Sequence, residues 1–121
     1  MNDQKTPDTF ASRMKDYEAV SSPVLMRRTP VIIRVDGKNF SKLTRTRNKP
    51  FDRRLTACME AAAQRLVSEA QNCRLTYYQS DEISLLLTDF KTLTTETWFN
   101  NQIQKICSIA SALATSGFCE E

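Results

Sequence analysis

Histidine is absent from this chain of 121 residues, and glycine occurs only twice, as Gly37 and Gly117. Without histidine there is no Ser-His-Asp or Cys-His nucleophile, no imidazole base and none of the usual His-bearing zinc sites. Two glycines that far apart cannot build a G-x-x-x-x-G-K-[ST] loop or a G-x-G-x-x-G turn, which excludes both of those phosphate cradles. The four cysteines, Cys58, Cys73, Cys107 and Cys119, form no C-x-x-C pair, so they read as reduced, mostly buried thiols of a cytoplasmic protein. Long apolar runs are also missing, and the polar start Met1 to Pro7 has no apolar segment behind it; neither an export signal nor a membrane span is expected. Any chemistry must therefore run on carboxylates, lysines, hydroxyls or bound metal.

What is present is one domain's worth of ordinary composition, 40% apolar and 26% charged, with an uneven charge distribution behind a net +3. Ten of the seventeen basic residues (Arg27, Arg28, Arg34, Lys38, Lys42, Arg45, Arg47, Lys49, Arg53 and Arg54) fall between Arg27 and Arg54, beside only Asp36 and Asp52. That stretch nets +8 and the remainder −5, a polarity that suits a polyanionic partner and equally suits a solvated surface paired with acids elsewhere.

Residues 8–20 predict a short amphipathic helix whose Phe10, Met14 and Tyr17 stripe serves packing. The β-branched run from Pro30 to Gly37 predicts a central strand ending at Asp36. After a polar, basic excursion from Asn39 to Lys49, Asp52 can cap a helix reaching Ala70, with Leu55, Met59, Ala62, Leu66 and Ala70 on one face. Two β-prone runs, Arg74 to Tyr78 and Ile83 to Thr88, flank the polar break Gln79-Ser80-Asp81-Glu82 and predict a hairpin. Helical spacing returns from about Glu96 to Thr115, with Phe99, Ile103, Ile106, Ala110 and Leu113 inward and Lys105 off that face. This order is that of an α+β, ferredoxin-like β-α-β-β-α(-β) unit, with both helices on one face and the last strand missing. The expected division is an N-terminal helix and lead-in over 1–29 and the α+β domain over 30–121.

In that topology the first and third strands are neighbours, so Asp36 and the hairpin's Asp81 become candidates for one site. Two close carboxylates repel unless a cation lies between them, and a hard oxygen-liking ion, Mg²⁺ above all, relieves the repulsion. Gly37 lets backbone approach a metal or phosphate and offers a carbonyl ligand. Spacing alone also fits plain turn chemistry, in which Asp36 precedes a glycine turn and Asp81-Glu82 are hairpin residues.

Four ordered stretches carry a further signal. Ile33-Arg34-Val35-Asp36-Gly37-Lys38-Asn39-Phe40, Lys49-Pro50-Phe51-Asp52, Tyr78-Gln79-Ser80-Asp81-Glu82-Ile83-Ser84, and Gln104-Lys105-Ile106 with Ser108, Ala110 and Ser111 closely resemble the tRNA(His) guanylyltransferase family. The resemblance is to its bacterial-type branch and runs from about Tyr17 to Gly117. It implies a polymerase- and cyclase-like palm that extends RNA in the 3′-to-5′ direction, with GTP and ATP as substrates, tRNA as partner and a homo-oligomer, a tetramer in the family. It further implies that Asp36 and Asp81 ligate two Mg²⁺ ions with the Gly37 carbonyl, and that Glu82 supports them. Arg34, Lys38, Asn39, Phe40, Ser41, Lys49, Ser80 and Lys105 would line the nucleotide site. Members of that family are longer, and their second half completes the palm sheet. The expectation is accordingly a nucleotidyltransferase acting on the tRNA 5′ end, or a catalytically incomplete palm that binds nucleotide or RNA.

Overall fold

A computed structural model describes residues 9–38 and 53–120. Helix α1 spans Phe10–Val20, strand β1 Val31–Asp36, helix α2 Arg53–Glu69, strand β2 Cys73–Gln79, strand β3 Glu82–Leu87 and helix α3 Ile103–Cys119, which a short left-handed turn at Trp98–Asn101 precedes. The three strands form an antiparallel sheet in the order β1-β3-β2, the α+β arrangement expected of the split unit.

Strand alternation sets which face is buried. On β3, Ile83, Leu85 and Leu87 point toward the helices, and Ile33 joins them from β1. Met59, Ala62, Ala63 and Leu66 of α2 and Ile106, Ala110 and Ala114 of α3 close over them as one core. Small residues let the two helices approach closely. At Gly117 a β-carbon would stand 2.8 Å from Arg65 Cβ and 2.9 Å from Ala61 O and Ala62 Cα, so backbone would have to move to admit any side chain.

Several expectations are corrected. The cysteines are not mostly buried: Cys58 and Cys73 are half-buried, and Cys107 and Cys119 are exposed on α3. The run of β1 predicts a central strand, yet among the described residues β1 pairs only with β3 and leaves Ile32 73% exposed; β3, bonded on both sides, is the central strand there. Helix α1 forms where expected, with Thr9 Oγ1 capping it by accepting from the Ser12 N–H at 3.1 Å. It buries none of its residues, however, and its stripe is solvent-facing. The hairpin break is shorter than four residues, because Gln79 and Glu82 pair with each other and leave Ser80-Asp81 as the turn. Ser80 makes that tight turn by adopting φ 56°.

The last helix starts at Ile103 and not near Glu96, since Phe99, Asn100 and Asn101 all take left-handed backbone. Left-handed residues cannot continue a right-handed helix. The buried Asn101 holds the break by donating through Nδ2 to the carbonyls of Leu25 and Met26, while its own carbonyl accepts the Leu25 N–H at 2.9 Å. Nearby, the buried carboxylate of Asp89 accepts the Arg28 backbone N–H at 3.0 and 2.9 Å. The Arg28 guanidinium donates to the carbonyls of Thr92 and Leu93, and Arg27 to that of Thr95. Two arginines of the basic stretch thus tie a loop, which their sequence position alone could not distinguish from a polyanion contact. The capping role of Asp52 lies outside the described residues.

Candidate active site

Two structural events place the acidic residues. Alternation along β1 turns Ile32, Arg34 and Asp36 away from the helices, and the strand ends there. The β2–β3 turn then delivers Asp81 beside that end, with the Gly37 N–H donating to the Asp81 carbonyl at 2.9 Å. Forty-five positions apart in sequence, Asp36 and Asp81 come to line one cleft of about 220 Å³ together with Gly37 and Lys38. Its floor is made by Met59 and Ala62 of α2, Ile83 of β3, and Ala114 and Phe118 of α3, with Ser111 and Thr115 at its edge. A polar, mainly acidic rim over an apolar floor suits a ligand with an apolar body and an anionic end bridged by a cation. The donors on this rim are oxygens, which fits a hard divalent cation, and among the described residues no further His, Cys, Asp or Glu converges to make a cluster of three.

The remaining predicted residues divide. Glu82 stands directly opposite Asp36 in the strand register, on the open face of the sheet. There it pairs with Arg34, whose guanidinium donates to Glu82 Oε1. That hydrogen bond, then the charge of Glu82, raise the Arg34 pKa; desolvation opposes them, and Asp36 and Asp81 add smaller upward contributions. Arg34 is therefore a fixed cation within reach of the field of all three acids. Ser80 occupies the turn next to Asp81. Lys105 does not line the cleft: it is exposed near the start of α3, over the Phe99 ring at 5.9 Å, whereas the cleft uses the helix from Ser111 onward. Asn39, Phe40, Ser41 and Lys49 lie outside the described residues. The lining residues Thr115 and Phe118 are additions that sequence periodicity misses, because the helix runs past Thr115 and its i, i+4, i+8 series Ala110, Ala114, Phe118 continues with it.

An antiparallel sheet with two helices on one face, one aspartate at a strand end and a second in the adjoining turn, defines a palm-like α+β fold. The family model for tRNAHis guanylyltransferase matches residues 11–121, and the chain belongs to that family. Among solved structures, a bacterial tRNA(His) guanylyltransferase-like protein in complex with GTP superposes with a TM-score of 0.86 at 41% identity, covering 93% of this chain and 54% of that one. The same kind of bacterial protein in complex with ATP gives 0.86 at 40% identity, over 93% and 49%. Among curated relatives, the tRNA(His) guanylyltransferase of Schizosaccharomyces pombe is 34% identical over 107 residues, 87% of this chain and 38% of the relative. The probable tRNA(His) guanylyltransferase of Homo sapiens is 32% identical over 106 residues, 85% and 33%. The chain spans well under half the length of these curated relatives and about half that of the structures. No helix among the described residues is long and apolar enough to cross a membrane.

Proposed function

We propose that this chain carries the catalytic palm of a nucleotidyltransferase that adds a nucleotide, GMP foremost, to the 5′ end of tRNA in the 3′-to-5′ direction, in the cytoplasm and as a homo-oligomer. The observation that carries this reading is the meeting of Asp36 and Asp81 on the rim of one cleft, in a chain of the tRNAHis guanylyltransferase family. The reaction so read first transfers AMP from ATP to the RNA 5′-phosphate, breaking the α–β phosphoanhydride and releasing pyrophosphate, after which the 3′-hydroxyl of the incoming GTP attacks that 5′-phosphate, loses its proton and displaces AMP. Asp36 and Asp81, with the Gly37 carbonyl, would hold two Mg²⁺ ions, with Glu82 in support. When bound, such ions lower the pKa of an attacking hydroxyl and neutralise a leaving phosphate.

The chain's own groups do the positioning. Lys38 adds a cation on the cleft rim where triphosphate oxygens would lie, and Met59, Ala62, Ala114 and Phe118 offer apolar surface to a nucleobase. Arg34, Asn39, Phe40, Ser41, Lys49, Ser80 and Lys105 complete the nucleotide-binding set in this reading. The test is incubation with 5′-phosphorylated tRNA, ATP, Mg²⁺ and labelled GTP. Label should enter the RNA, and Asp36→Ala or Asp81→Ala should reduce incorporation by about a hundredfold or more. Incorporation that survives both changes overturns the metal assignment. GTP binding with no incorporation by the parent chain would leave it a nucleotide-binding palm without the transferase activity.

A further inference from the structure

The sheet face turned away from the helices carries a graded pattern of which the cleft uses only Asp36. Strand pairing sets nine residues there in three rows: Ile32, Leu86 and Leu75; then Arg34, Ser84 and Tyr77; then Asp36, Glu82 and Gln79. Ile32, Leu75 and Tyr77 are 73%, 63% and 61% exposed, a cluster of large apolar groups that a soluble surface does not normally leave in one patch. The middle row places a guanidinium and a phenol ring on either side of the small Ser84. Two strand spacings separate their attachment points by about 9–10 Å, enough for one planar ring to lie against each group or between them.

Both planar groups are already held. Tyr77 Oη donates to Gln79 Oε1 at 2.9 Å, which aligns the ring along β2, and Arg34 is tied to Glu82. The pair with Glu82 engages the guanidinium through an in-plane N–H, an arrangement that suits its flat face to a base. The patch runs directly into the row containing Asp36.

We propose that this open face is a stacking platform for an unpaired nucleobase at the RNA 5′ end, with Tyr77 as its principal surface and Arg34 and Ile32 beside it. The inference rests on the functional reading above, since it is the 5′ phosphate at Asp36 and Asp81 that brings the terminal base over the sheet. Tyr77 is exposed and makes no core contact, so Tyr77→Ala should fold normally.

The experiment measures binding of two 5′-phosphorylated RNA hairpins labelled at the 3′ end, one with a single unpaired 5′ nucleotide and one blunt, across a salt series. The parent chain should prefer the unpaired end. Tyr77→Ala should weaken binding of that hairpin about tenfold and erase the preference, while Tyr77→Phe, which keeps the ring, should retain it. The slope of log Kd against log salt and the affinity for GTP should stay unchanged, because no phosphate contact is removed. Equal binding of both hairpins by the parent, undiminished binding by Tyr77→Ala, or a changed salt slope would overturn the proposal. So would a change of oligomeric state in Tyr77→Ala, which would mark the face as a protein interface. Binding does not require turnover, so failure of the transferase reading shows separately, as incorporation that survives loss of Asp36 and Asp81.

Discussion

The two ends of the sheet use carboxylates in opposite ways. At the end formed by Asp36, Asp81 and Glu82, the acids stand on a cleft rim or an open face, and the ion pair of Glu82 with Arg34 is exposed. At the other end Asp89 is buried, and both of its oxygens accept the same backbone N–H from Arg28. A buried acceptor whose partner would otherwise be orphaned is committed to the fold, whereas exposed acids at a turn contribute little to stability and remain available to a ligand. The contrast separates structural from functional acids more sharply than residue type can.

That comparison can be broken by substitution at either end. The largest expected effect is on activity at the open end: Asp36→Ala should cost incorporation its hundredfold while changing the unfolding free energy by less than about 0.5 kcal/mol in urea titration. A large stability loss there would mean that Asp36 is structural after all. Asp89→Ala should show the reverse, losing about 2–3 kcal/mol by stranding the Arg28 N–H, with the folded fraction keeping its specific GTP affinity. A urea midpoint unchanged by that substitution would remove Asp89 from the set of structural acids.

Gly117→Ala should fall between, because the helix gains about 1 kcal/mol in propensity while the added β-carbon overpacks backbone of α2. A net loss of about 1–2 kcal/mol is expected, and a stabilised variant would show that the helices have room to separate. The smallest effect belongs to Glu82→Gln, whose exposed ion pair should leave the melting temperature within measurement error. Alkaline titration should be equally uneventful. Arg34 has a raised pKa, so its favourable interaction is complete below the unfolded guanidinium value and is lost only above the folded one, well beyond about pH 10.

Much of this was legible in the order of residues. The predicted period of α2 placed Leu55, Met59, Ala62, Leu66 and Ala70 inside; Leu55 is half-buried, and the other four are buried, Ala70 just past the helix end. Val31 to Asp36 formed a strand with its acid at the end, and the two runs around Ser80-Asp81 formed a hairpin. These are local properties, fixed by side-chain periodicity and by which residues tolerate a turn. The start of α3 was illegible for a related reason: Phe99 and Asn100 fit a helical period, and only the bonds from Asn101 to Leu25 and Met26 show why the backbone turns left-handed. The use of Arg27 and Arg28 was hidden likewise, since their partners lie more than sixty positions away.

By itself, then, the sequence determined the elements, the core-facing stripe of α2, the absence of histidine chemistry and the ordered motifs that resemble one family. Tertiary structure alone decided that Asp36 and Asp81 share a cleft, that Phe118 and Thr115 belong to it, that Lys105 does not line it, and that the α1 stripe and one sheet face remain uncovered. The reason is physical: periodicity reports which way a side chain points from its own element, while a site and an exposed surface depend on which distant element arrives, or fails to arrive, opposite it.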